Sequence, residues 1–438
     1  MRPFSLMTFL AVIAVASTAA VAQPAPPITK EQAHFVVTEV ERLIAEHYVF
    51  PEKRQQIVDA IKSADTAGRY NTTDPRELSD HLTDDLRATA NDRHLAVRFD
   101  PERYAELMKP GQQHDGGLQR RAELRHNHGY EEQRVLPGNI RYVRISGFIW
   151  SKERTPRVID DAARFLSDGD AIIIDLRGNG GGDADAVERM ISYFFPASSK
   201  QELMTFYDGL EGSTTVNRVV PSLPSPRLTG KPFYLLIDGR TGSAAEEFTY
   251  HTQQFKLGTL IGAKTGGAGN NNTFYPIAPS FTFSISVGRP IHPVSHTNWE
   301  AVGISPDVAV PPQLALEQAQ ILALRALLAK ASASDRMAYE WAIAGLEAQV
   351  KPVQLTPAEM QAYVGTYGIR KVWLEGGVLR YQREELPPAT LTPMGDDVFA
   401  LSNTDQVRIK FRRKDGRVVG FDQVFDDGSP NVPSERTA

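Results

Sequence analysis

The chain has no cysteine anywhere in its 438 residues. Disulfides, thiolate metal ligands and thiol nucleophiles are excluded, so the fold must rest on its core alone. Basic clusters are missing as well. Lys and Arg number 48 against 53 Asp and Glu, the net charge is −5, and no block of one sign stands out. Nucleic acid is therefore not an expected partner. Long apolar runs are scarce. The one present opens the chain, MRPFSLMTFLAVIAVASTAAVAQ, with Arg2 ahead of it and a small-x-small cleavage site, Ala20-Val21-Ala22, before Gln23. Residues 1–22 read as a secretory signal peptide, and the mature protein is expected to be periplasmic or secreted. The run is short and Ala-rich for a spanning helix, so no stable membrane insertion is expected after cleavage.

What the chain does have is core-forming material. Its hydrophobic content of 41% supports a large core and more than one domain. Residues 23–100 read as an N-terminal helical domain. Thr29-Lys-Glu-Gln32 is a capping box ahead of Val36, Val40, Leu43 and Ile44, and Asp74-Pro75 starts a helix carrying Leu78, Leu82 and Leu86. Residues 101–138 are polar and irregular, a linker or flap. From Ile140 strands alternate with helices: IRYVRI, then TPRVIDDAARFL, AIIIDLR, ADAVERMISYFF, KPFYLLID, SAAEEFTYHTQQF and GTLIGA. That alternation predicts an α/β core over 139–312. A helical connector over 313–350 leads to a C-terminal β domain over 351–438, with short strands set between GG, GDD and KDGR turns.

Three stretches carry candidate chemistry. DLRGNGGG, residues 175–182, follows a buried strand and has glycine at four of eight positions. It lacks the last glycine of a dinucleotide fingerprint, and GTLIGAKT lacks Walker spacing. What is left is a loop of exposed amides suited to an oxyanion, or a plain tight turn. His292, His296 and Glu300 are spaced four apart, but Pro290 and Pro293 break any helix that would put them on one face, so no metal is expected. Ser243, in TGSAAEE, follows the strand FYLLID and opens a helix, with Glu246 three residues on. The pattern suits a helix cap and a nucleophile equally well. His94, in NDRHL, has no assignable role by itself.

Taken together, NDRHL, DLRGNGGG, RTGSAAEE and NWEAVGISPDVAV, in that order, resemble the serine proteases that include the C-terminal processing (tail-specific) proteases and the tricorn core protease. The branch most similar is the one shared with interphotoreceptor retinoid-binding protein, and HYVFPE (47–52) resembles that branch's N-terminal module. The resemblance covers about residues 30–312. It implies an α/β ββα-spiral (crotonase/ClpP-like) protease core with an N-terminal helical bundle and a small C-terminal β domain. Ser243 is then the nucleophile, His94 the general base and Glu300 the orienting carboxylate, acting directly or through another hydroxyl. Gly181 and Ala244 supply the oxyanion hole. Relatives in the processing branch use a lysine 25 positions after the serine, which here is Ala268, and Lys264 stands nearby. Arg93 occupies a position where the family carries a small or hydroxylic residue, and no PDZ-like insertion is evident between His94 and Ile140. The implied activity is that of an exported serine-type peptidase acting on peptide or protein substrates without cofactor or metal. The alternative is a non-catalytic binder of apolar ligands or peptides on the same fold.

Overall fold

The computed structural model describes residues 25–109 and 123–437; the signal peptide expected at 1–22 and the start at Gln23 lie outside them. The strand–helix alternation after Ile140 builds a mostly parallel sheet. Its strands are β3 (Ile140–Ile145), β4 (Ala171–Asp175), β7 (Phe233–Ile237), β8 (Thr259–Gly262) and β11 (Val308–Ala309), in the order β11-β8-β7-β4-β3. The edge strand β2 (Tyr130–Leu136) joins β3 antiparallel. The continuous apolar run AIIID is explained by burial on both faces. Ile172 and Ile174 meet the helices α5 (Thr155–Ser167), α6 (Ala184–Ser192) and α7 (Ala244–Gln254). Ala171 and Ile173 face α8 (Ala315–Leu328) and α9 (Ala333–Val350).

A second sheet has the order β1-β10-β5-β6, with β9 also paired to β10. Its strands are β1 (Ala96–Phe99), β5 (Glu202–Asp208), β6 (Ser213–Arg218), β9 (Asn271–Ile277) and β10 (Phe281–Ile291). The N-terminal helices α1 (Lys30–His47), α2 (Pro51–Thr66) and α3 (Pro75–Ala90) lie against it. Val36, Val40, Ile44, Leu78, Leu82 and Leu86 share one core with Phe281, Phe283 and Ile285 of β10. The expected caps are formed. Thr29 and Gln32 make the capping box, and Asp74 accepts the Arg76 and Glu77 amides.

The polar segment 101–138, expected to be irregular, contains a helix α4 (Pro101–Leu107) and the strand β2. Asp100 caps the Arg103 amide beside Pro101. A strand at a sheet edge pairs through its backbone, so polar side chains do not prevent it. The hairpin β5–β6 also escaped the sequence reading; its second strand, β6, is an edge strand with mostly exposed side chains. After α9 and the short α10 (Pro357–Gln361), strands β12 to β19, from Gly365–Tyr367 to Val432–Glu435, form an eight-stranded antiparallel meander. The Thr437 amide donates to Thr366 O at 2.8 Å, drawing the last strand towards the first in a barrel-like closure. No helix among the described residues is long and apolar enough to cross a membrane.

Candidate active site

Strand order places the first two motifs side by side. β4 and β7 are parallel neighbours, so the loops leaving their carboxyl ends, 176–183 and 238–243, meet over the sheet. Asp175 anchors the first loop through a two-point ion pair with Arg177 and a hydrogen bond from Tyr142. The loops are laced together: Gly178 N donates to Asp238 Oδ1, the Thr241 hydroxyl to Leu176 O, and Gly242 N to Asn179 O, each at 3.0 Å.

Ser243 stands at the join with φ 52° and ψ −124°, a left-handed conformation that costs a non-glycine residue about 1–3 kcal/mol. Surrounding contacts hold it there. A Cβ on Gly181 would lie 2.7 Å from the Ser243 Cβ and 2.8 Å from Gly242 O, so only glycine lets the two loops approach. The capping question has a divided answer. The Ser243 amide donates to Glu246 Oε2 at 3.1 Å, while the Ser243 side chain faces the Glu246 amide in a capping-box arrangement without forming a full cap hydrogen bond. The serine uses its backbone for the cap.

Both carboxylates of the site grip one loop. Glu246, fully buried, accepts the amides of Gly267 and Ala268 at 2.6 and 2.8 Å, and the Thr265 hydroxyl at 2.6 Å. Glu300 accepts the next two amides, Gly269 and Asn270, at 2.6 and 2.7 Å, and the Arg93 amide at 3.2 Å. Four consecutive backbone donors are thus shared between one carboxylate attached to Ser243 and another beside His94. The His94 Nδ1 lies 3.9 Å from Glu300 Oε2, and each side chain is only 12% exposed. At that distance the contact is electrostatic, short of a hydrogen bond. Burial pulls the Glu300 carboxyl upward, but His94 and the three amides outweigh it and hold it below the usual carboxylate range.

Asp92, absent from the sequence reading, completes the setting of His94. It is 2% exposed, and it accepts the His94 amide at 2.9 Å, Asn270 Nδ2 at 3.0 Å and the Tyr48 hydroxyl at 3.2 Å. Burial, and then the nearby Glu300 charge, raise its carboxyl above the ordinary range. The Asp-x-His spacing was the missed signal, because an aspartate two residues ahead readily caps its own turn. Asp92, His94 and Glu300 bring ligand atoms within 4.8 Å of one another. All four carboxylate oxygens there already accept hydrogen bonds, which favours a polar frame over an ion site.

The remaining expected residues fall as follows. Lys264 is exposed. Arg93 is also exposed, and its backbone amide donates to Glu300. His292 is buried against His251, with ring centroids 5.2 Å apart, while His296 is exposed, and the structure does not gather these two with Glu300. The Ala244 amide has no acceptor among the described residues, whereas the Gly181 amide is held by Asn179 Oδ1 at 2.8 Å.

Comparison with known proteins adds the decisive observation. Residues 139–310 match the model of peptidase family S41, and residues 27–124 match the N-terminal domain described for that family in eukaryotic IRBP. The chain belongs to peptidase family S41. It is a serine peptidase. Among solved structures, this S41 chain is similar to the photosystem II D1 C-terminal processing protease, at 17% identity over 66% of this chain and 95% of that one, with a TM-score of 0.41. It is similar to mature CPAF at 12% identity over 68% and 97%, TM-score 0.48. The tricorn protease matches at 13% identity over 66% of this chain and 35% of that one, TM-score 0.42.

Proposed function

We propose that this S41 peptidase cleaves peptide bonds with Ser243 as nucleophile, His94 as general base and Glu300 as the carboxylate that orients and stabilises the charged histidine. The supporting observation is the division of the Gly267–Asn270 amides between Glu246 and Glu300, which ties the Ser243 backbone and His94 to one loop. The Ser243 oxygen attacks the carbonyl carbon as its proton passes to His94. The tetrahedral oxyanion forms against the free Ala244 amide, and the Gly181 amide joins once it releases Asn179. His94 then protonates the leaving amine, and water repeats the sequence on the acyl-enzyme. No hydrogen bond joins Ser243 to His94 among the described residues. Catalytic contacts of this kind commonly tighten only when substrate binds. We further propose that the enzyme works outside the cytoplasm, with Gln23 as its first residue, and N-terminal sequencing of the exported protein tests that.

The catalytic test sets two bases against each other. Lys264 is exposed and stands four residues short of the position where the processing branch carries its lysine, so Lys264→Ala is expected to keep its activity. His94→Ala is expected to lose at least about a hundredfold in kcat. Fluorophosphonate labelling lost in Ser243→Ala separates a catalyst from a binder. Unlabelled wild-type protein, or an active His94→Ala, overturns the assignment.

A further inference from the structure

Beside the nucleophile lies a group of acids with no role in the steps above. Asp183 follows directly on the glycine run and caps α6 by accepting the Asp185 amide at 2.8 Å. Asp185 and Glu188 are on α6, which packs against α7. Glu247 is on α7, its amide bonded to Ser243 O at 2.9 Å, one helical turn below the serine. Exposure falls along the set: Asp183 and Asp185 are exposed, Glu188 is half-buried and Glu247 is 5% exposed.

These carboxylates lack the partners that buried charges normally have. No lysine or arginine among the described residues lies within 4.0 Å of any of the four. The one ionisable contact is His251 Nε2, 3.5 Å from Glu247 Oε1. Burial holds that ring neutral, with its pKa pushed down to about 3, so it supplies no counter-charge. The Glu247 oxygens accept no hydrogen bond from described residues. A deep carboxylate with no cation of the chain beside it, and with more exposed acids above it, calls for a positive charge from outside. A metal ion is the poorer fit. Among the described residues the three-donor group within 4.8 Å is the one around His94, so these carboxylates stand too far apart to close round an ion.

We infer that Asp183, Asp185, Glu188 and Glu247 line a specificity subsite beside Ser243 that takes a lysine or arginine side chain of the substrate, its charged end reaching Glu247. A long basic side chain suits this graded depth, since its apolar stem can be buried while its head meets the acids. This reading rests on the proposed role of Ser243, and it makes the enzyme a peptidase selective for basic residues next to the cleaved bond. Burial raises Glu188 to about 7, with Asp185 and Glu247 adding to the effect, and Glu247 to about 8, with Asp183 and Asp185 adding to it. The titratable groups facing Glu247 are Asp183, Asp185 and Glu188 from α6 and His251 from its own helix, with His292 from the end of β10 behind that ring.

The test uses peptides that differ at one position at a time, with lysine, arginine, norleucine or glutamate scanned across the cleavage site. At one position, lysine or arginine is expected to exceed norleucine in kcat/KM by at least about tenfold, the scale of one good charged contact. Glu247→Gln and Glu188→Gln should each reduce that ratio, mainly through KM, and the wild-type ratio should rise from pH 6 to 8 as the carboxylates ionise. A fold check by thermal unfolding accompanies each variant. No basic preference at any position, or a preference that survives both variants, overturns the subsite. If no peptide is hydrolysed at all, the catalytic assignment fails separately. Fluorescence anisotropy of the same peptides on Ser243→Ala then decides the subsite, and equal affinity for lysine and norleucine peptides refutes it.

Discussion

At the residue scale, the site depends on two backbone conformations that side-chain chemistry alone does not suggest. Ser243 is held at φ 52°, where alanine is as strained as serine and glycine is not. Ser243→Gly and Ser243→Ala should therefore be equally inactive, while the glycine variant is more stable than the alanine one by about 1 kcal/mol. Paired denaturant titrations measure the difference, and equal midpoints would show that the strain is absent. Gly181, at φ 114°, is the counterpart on the facing loop. Gly181→Ala should abolish peptide hydrolysis, because its Cβ would sit 2.7 Å from the Ser243 Cβ. Normal turnover in that variant would mean the loops can part without loss. Ser243 itself was legible from its place between strand and helix. Its left-handed backbone was not, because strain of this kind is imposed by neighbours distant in sequence.

At the element scale, α7 has unusual demands for a helix that begins with the proposed nucleophile. Glu246, Glu247 and His251 are all buried along it. The unfolded chain takes up protons on histidine near pH 6.5, but the folded chain resists until about 3 at both His251 and His292. Their contribution to stability is full above 6.5 and is lost as the pH falls towards 3. Glu247 acts in the opposite direction. It keeps its proton to about 8 in the fold and loses it near 4.5 when unfolded, so its contribution is full below 4.5 and fades as the pH rises to 8. Glu247→Gln should accordingly raise Tm at pH 8 relative to wild type, with little change at pH 4.5. A Tm difference that does not vary with pH would refute the buried-acid assignment. The helix was readable from S-x-x-E and its apolar residues. The burial of its charged face was not, because the layer that covers it comes from α6 and the end of β10.

At the scale of the whole molecule, the C-terminal barrel and the helices before it serve different purposes. The barrel has its own core around Tyr367, Phe399, Phe411 and Phe421. It touches α9 through Arg408, stacked 3.8 Å over Trp341, and through the Trp341 Nε1 bond to Asp405 O at 2.7 Å. Helices α8 and α9 instead cover one face of the parallel sheet, packing Ala319, Leu324 and Ile343 on Ile173 and Leu236. A chain ending at residue 352 is expected to fold and hydrolyse peptide, and one ending at residue 312 to aggregate, since its central sheet would present an apolar face to water. Gel filtration and peptide hydrolysis of the two truncations check this. An inactive, unfolded chain ending at 352 would assign the barrel a structural role.

The strand–helix alternation after Ile140 and the absence of thiol chemistry could be read from sequence, because periodicity and composition are local; Ser243 stood out by its place between strand and helix, and His94 and Glu300 only through the family resemblance. Tertiary structure decided the rest. Only the β4–β7 pairing put Gly181 against Ser243, and only the grip of Glu246 and Glu300 on four successive amides brought the serine and histidine segments to a single loop. Asp92, Tyr48 and Asn270 met from three separate parts of the chain. Such contacts depend on which buried surfaces pack together, and no window of neighbouring residues carries that information.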